Sequence, residues 1–175
     1  MARTRMSPAT AIPERSAGTD AAGRISRLSQ VFINLTQGLR ERFEIDKGVL
    51  IVRRGDSQTL AAVSTWSDGL GRDGLTINLP GDSSLFEQVA QHGQVYTESY
   101  CKAFSGNFFE RKLLLDENSR SFVLMPLKSE GHVVGLLGYS SQQPTAFTLF
   151  EEGELDSVAE QLGQVIASNG SRSVD

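Results

Sequence analysis

Two nearly unbroken apolar runs, Phe122-Val123-Leu124-Met125-Pro126-Leu127 and Val133 to Tyr139, lie on either side of Ser129-Glu130-Gly131. A strand with one wet face alternates apolar and polar residues, so a run without alternation needs cover on both faces. The pair predicts an antiparallel hairpin at the centre of a sheet, with a layer on each side. Gly131 supplies the left-handed residue of a three-residue loop. Pro126 has no N–H to give to a ladder, which places it at an edge or a bulge.

The rest of the chain supplies those layers. Ile25, Leu28, Val31, Phe32, Leu35, Leu39 and Phe43 recur at helical spacing and predict an amphipathic helix from about Arg24. Val49 to Val52, Thr59 to Trp66 and Leu75 to Leu79 read as strands, with Gly55-Asp56-Ser57 as a turn between the first two and Pro80 ending the third. Ser84 with Glu87 is a capping-box pair before Leu85, Phe86, Val89 and Ala90, and Gly93 stops that helix. Gln94 to Glu98 returns to a strand, and Phe104 to Leu115 is aromatic-rich and irregular. Thr148 with Glu151 caps a last helix whose stripe is Leu155, Val158, Ala159, Leu162, Val165 and Ile166, ended by Asn169-Gly170. Residues 1–23 and 169–175 have too few large aliphatics to offset their ordering entropy and are expected to be tails around a domain at 24–168.

Composition narrows the function. The formal net charge is −4, whereas a protein that neutralises many phosphates needs a basic surface, so nucleic acid is not an expected partner. One cysteine forms neither an internal disulfide nor a cysteine-rich zinc site. With two histidines far apart, no metal-ligand spacing emerges. Arg3, Arg5, Arg15 and Arg24 are not followed by the apolar segment of a secretory signal, and no apolar stretch approaches the ~20 residues of a membrane span. The expected location is cytoplasmic, away from membranes.

The hairpin Leu124-Met125-Pro126-Leu127, Gly131 and Val134-Gly135-Leu136-Leu137, followed by Ala146-Phe147-Thr148 and the acid-capped helix, resembles the GAF domain family. Leu85-Phe86-Glu87-Gln88-Val89 and Gly93-Gln94-Val95-Tyr96 are similar to that family's approach to its fourth strand. The resemblance covers about Arg24 to Ser168. It implies an α+β fold with a central antiparallel sheet of five to six strands, the terminal helices on one face, and a ligand pocket with short helices on the other. It implies a non-catalytic sensory module that binds a small molecule and signals through its terminal helices. The alternative is a ligand-free dimerisation or protein-interaction module of a signalling system. Expected partners are a second copy, joined through the terminal helices, and a signalling protein.

Pocket residues follow from the resemblance: Trp66, Phe86, Tyr100, Cys101, Phe104, Asn107, Phe108 and Arg111, with the segment from Tyr100 to Phe109 as a lid that flexes at Gly106. Most buried aromatics are simply core, so a packed interior stands beside the pocket reading. Cys101 reads as a small buried residue or as a thiol activated by neighbouring Lys102.

The family's cofactor patterns are not matched. Bilin attachment uses a Cys followed by His, and Lys102 follows Cys101. The iron site uses a Cys before the hairpin, where Phe122-Val123 stands. Haem would rest on one lone histidine, His92 or His132, both at solvated positions. The cyclic-nucleotide pattern is met only in part by Asn107 and Asp116-Glu117. The free methionine sulfoxide reductases of the family use more than one cysteine. Finally, Gly69-Leu70-Gly71-Arg72-Asp73-Gly74 spells a dinucleotide fingerprint but leads into a strand, not a helix, and is expected to be a flexible loop.

Overall fold

The computed structural model describes residues 14–55, 59–101, 103–148 and 154–171. The elements are α1 (Glu14–Phe43), β1 (Ile45–Arg53), β2 (Leu60–Ser67), β3 (Leu70–Arg72), β4 (Ile77–Asn78), α2 (Leu85–His92), β5 (Tyr96–Glu98), α3 (Phe108–Leu114), β6 (Ser121–Ser129), β7 (His132–Ser141) and α4 (Glu154–Ser171). The strands form one seven-stranded antiparallel sheet in the order β3-β2-β1-β7-β6-β5, with β4 also on β2.

The apolar hairpin is the centre of this sheet. β6 and β7 pair from Ser121 opposite Ser141 to Ser129 opposite His132. Successive side chains divide between the faces, as the pleat requires. Phe122, Leu124 and Leu136 go one way, with Val49 and Ile51 of β1. Val123, Met125, Leu127, Leu137 and Tyr139 go the other, with Leu50. The missing alternation thus reflects two cores. The loop is tighter than expected: Ser129 pairs with His132, leaving Glu130 (φ 51) and Gly131 (φ 80) as a two-residue connection. Two positive φ angles in succession are the mark of a type I′ turn, whose twist suits the strands. β5 pairs only with Phe122, Val123 and Leu124. Pro126 lies two residues past that short neighbour, on the part of β6 that β5 does not reach, where a missing N–H is tolerated.

The first core lies under α1 and α4. Leu28, Phe32 and Leu39 of α1 and Val158, Leu162 and Ile166 of α4 meet the sheet there, while Gln30, Asn34, Gln37 and Glu41 face solvent. Tyr139 is wholly buried; its ring stacks on Phe32 with centroids 6.3 Å apart, and its hydroxyl lies 2.8 Å from Thr36 Oγ1. Thr36 Oγ1 donates to the Phe32 carbonyl, so Tyr139 is the donor in the other bond.

Several boundaries differ from expectation, among them β1, which starts at Ile45, and the expected Leu75 to Leu79 strand, which is only Ile77–Asn78. α1 begins at Glu14, just after Pro13, not at Arg24; Ala17, Ala21 and Ala22 are strong helix formers that carry it through Gly18 and Gly23. α4 continues through Asn169 and Gly170 to Ser171. The glycine-rich decoy contributes β3, whose Leu70, Gly71 and Arg72 pair with Ser67, Trp66 and Thr65. There Gly71 lets the Ile33 side chain lie where a Cβ would stand. Together with Ile77 and Asn78 of β4 opposite Ala62 and Ala61, β3 makes a split edge along β2, which explains the strand beyond the expected six. Of the other expected features, Asp56 and Ser57 of the first turn, Glu151 of the last cap and most of the two tails lie outside the described residues. Thr148 is described, and its hydroxyl donates to the Thr145 carbonyl at 2.8 Å.

Candidate functional site

The face opposite the terminal helices carries α2 and α3, and its centre is a carboxylate. Glu110 has no solvent exposure. Its Oε2 accepts from Ser84 Oγ at 2.6 Å and Phe86 N at 2.8 Å. Its Oε1 accepts from Leu85 N at 2.9 Å and Asn107 N at 3.0 Å. Burying an isolated carboxylate is very costly, but here it takes the otherwise orphaned N–H groups at the starts of two helices. Each hydrogen bond to a charged group contributes roughly 1.5–3 kcal/mol.

The local sequence explains each part. Asn107 caps α3: its side chain accepts from Glu110 N while Glu110 returns to Asn107 N, a complete capping box. Asn107 Nδ2 donates to the carbonyls of Pro80 and Asp82, both at 3.3 Å, which ties the loop before α2 to α3. Ser84 caps α2 and accepts from Glu87 N. The carboxylate serving the start of α2 therefore comes from Glu110, 26 residues after Ser84. At its other end α3 is held by Lys47, whose Nζ donates to the Lys112 carbonyl at 2.6 Å and the Leu115 carbonyl at 3.3 Å. Burial lowers the pKa of Lys47 below the ordinary lysine value, with Asp116 and Asp68 pulling it back.

Beneath these helices the sheet face is filled. Phe86, Leu114, Leu124 and Val49 have no exposure and Phe122 has 1%. Tyr96 stacks on Phe122 at 5.8 Å, and Phe104 meets Phe122 edge-on at 5.6 Å. A shallow concavity of about 170 Å³ lies beside α2, lined by Leu85, Gln88, Val89, His92, Gln94, Val95 and Tyr96. It is below the ~300–1,000 Å³ of ordinary ligand pockets, and none of the eight predicted pocket residues lines it.

The structure disperses those eight. Trp66 is on the opposite face, buried in the terminal-helix core with the Arg40 guanidinium 5.4 Å from its ring centre; β2 takes on an extra residue near Val63, which moves its far end across. Phe86 is core of the α2–α3 face, and Cys101 and Phe104 pack half-buried against it. Asn107 is a cap. Tyr100 and Phe108 point outward, 63% and 64% exposed, and Arg111 is exposed. At the start of this segment Cys101 N donates to the Arg120 carbonyl, and just before it the Ser99 carbonyl accepts from Thr145 N. A Cβ on Gly106 would lie 2.5 Å from the Phe104 ring and 2.6 Å from Glu110 Oε1, so this glycine serves close approach. Burial raises the Cys101 pKa, Glu98 raises it further, and Arg111 opposes both. The thiol is thus less activated than an ordinary one.

Glu110 was absent from the predicted site, although the Asn107-x-x-Glu110 spacing is a capping signature. Its capping role was readable; its reach to α2 was not. Among the described residues no group of three or more His, Cys, Asp and Glu could hold a metal ion, and no helix is long and apolar enough to cross a membrane.

The two-sided sheet with this helical layer is the GAF architecture, and the chain belongs to the GAF domain family, whose model matches residues 27–166. The fold is similar to the GAF domain of a two-component sensor histidine kinase from Bacillus halodurans, with 18% identity, TM-score 0.62, and 82% of this chain and 96% of that one covered. It is similar to the GAF region of a putative membrane protein from Geobacter sulfurreducens, with 18% identity, TM-score 0.63, and coverage of 85% and 98%. It is also similar to a type II free methionine-R-sulfoxide reductase from Thermoplasma acidophilum, with 15% identity, TM-score 0.62, and coverage of 83% and 96%. No curated protein matches the chain.

Proposed function

We propose that this chain is a non-catalytic regulatory module that works through protein contacts of its helices, with its α2–α3 face closed. The observation that carries this reading is the filled face: Phe86, Leu114 and Leu124 without exposure, under two helices fastened by one buried carboxylate. Partner contact falls to α1. It is 30 residues long, about 45 Å at 1.5 Å per residue. Gly23 has open space around it, and Gln30, Asn34, Gln37 and Glu41 line the solvent face of the helix. That face is where a second copy or a signalling protein can pair. The location we assign is the cytoplasm.

Single Cys101 cannot close the intramolecular disulfide of a methionine sulfoxide reductase cycle. Bilin and mononuclear iron are likewise left out of this reading, since Lys102 follows Cys101 and Phe122-Val123 precede the hairpin.

A small-molecule sensor is the second reading. It is favoured by the aromatic group of Tyr96, Phe104 and Phe122 beside half-buried Cys101. A thermal-shift panel of cyclic nucleotides, amino acids and other metabolites on the full chain separates the two. The closed module gives a flat panel together with self-association in sedimentation velocity. One ligand raising the melting temperature dose-dependently would overturn it in favour of the sensor.

A further inference from the structure

We propose that Glu110 is a latch: it holds α2, α3 and the Pro80–Ser84 loop together as one layer, and the starts of both helices loosen when the Glu110 carboxylate loses its donors. The geometry points to this because the four donors belong to two segments far apart in sequence. Ser84, Leu85 and Phe86 belong to the start of α2, and Asn107 to the start of α3. One side chain therefore terminates both helices. Asn107 Nδ2 extends the fastening to the Pro80 and Asp82 carbonyls. Gly106 marks how closely the chain folds around the latch, since a methyl there would press on both Glu110 Oε1 and Phe104.

The rest of the molecule is built separately. β1, β6 and β7 are joined by long antiparallel ladders, and the terminal helices pack on the other face. None of the hydrogen bonds of Glu110 given above reaches the sheet, so releasing the carboxylate loosens the starts of both helices without breaking a strand pair, while Lys47 still holds the end of α3 to β1. Opening bares Phe86 and the sheet residues Phe122 and Leu124, which is the surface a regulatory partner or ligand would need. Local openings of this kind are cooperative units with free energies below the global value. The latch concerns motion of the chain by itself, so its test does not depend on which functional reading holds.

Hydrogen exchange on the full chain, read by mass spectrometry, tests it. Glu110→Gln keeps the shape but turns an NH₂ donor toward the N–H groups of Leu85, Phe86 or Asn107. The latch predicts at least tenfold faster exchange in 85–92 and 108–114, with 122–127, 133–140 and 158–166 unchanged. Unchanged exchange throughout, or an equal rise in every segment, would overturn it. Should Glu110→Gln not fold, Ser84→Ala (one donor fewer) and Gly106→Ala (a methyl against Oε1) are read by the same criterion. Each is expected to give a smaller rise confined to the same two segments, and its absence overturns the latch.

Discussion

Tyr139 shows how one side chain can tie a terminal helix to the sheet and make the bond visible in solution. It is buried, donates to Thr36 and stacks on Phe32. Removing the hydroxyl in Tyr139→Phe loses one neutral buried hydrogen bond, a cost of about 1 kcal/mol. For a chain of this size that lowers the melting temperature by roughly 2–4 °C. Burial pushes the Tyr139 pKa far above the ordinary tyrosine value of 10.0. The folded value exceeds the unfolded one, so this contribution is complete below pH ~10 and fades as pH rises past it. Alkaline titration followed by circular dichroism should show stability falling from about pH 10, and less steeply in Tyr139→Phe. Cys101 is the second residue with a readable state. Its raised pKa predicts alkylation by iodoacetamide slower than that of an unstructured thiol at pH 7.5, with the rate climbing only above the ordinary thiol range. A fast-reacting Cys101 at neutral pH would mean an activated thiol. Neither state was legible in sequence. The Tyr100-Cys101 neighbourhood suggested a lid, but whether a side chain points inward depends on tertiary contacts. Asn107 and Glu110 carried a readable local signal; what no spacing shows is that Glu110 also reaches Ser84, because that bond joins two elements.

At the scale of elements the sequence was most legible where one period ran unbroken. The β6–β7 hairpin, α2 with its Ser84 cap and Gly93 stop, and the stripe of α4 all follow their patterns. β3 and β4 were harder, because Leu70–Arg72 and Ile77–Asn78 are too short for any period and owe their form to the open edge of β2. Helix packing gives a sharp paired prediction. Gly163 faces β6 so closely that a Cβ would meet the Lys128 carbonyl oxygen, whereas Gly38 on α1 has nothing within 4 Å. Alanine gains up to about 1 kcal/mol of helix propensity at either site. At Gly163 the gain is outweighed by overpacking against a strand backbone that cannot step aside, typically 1–3 kcal/mol. Urea titration should therefore find Gly38→Ala stabilised by about 0.5–1 kcal/mol and Gly163→Ala destabilised by about 1 kcal/mol or more. Equal effects at both sites would mean that α4 does not rest on β6.

For the whole molecule, the arrangement of a doubly covered antiparallel sheet was legible from the hairpin alone, since unbroken apolar strands leave no face for water. The open pocket on the far side was an inference from family likeness, and this chain fills that side with Phe86, Leu114, Phe122 and Leu124. Aromatic residues that line a cavity and aromatic residues that fill one have the same spacing, which is why sequence left both readings standing. The most direct check of a closed α2–α3 face is the intact mass of the native protein purified from its own host. A packed face predicts masses at whole multiples of the polypeptide and nothing more. A reproducible excess that disappears on denaturation would reveal a bound compound and contradict it.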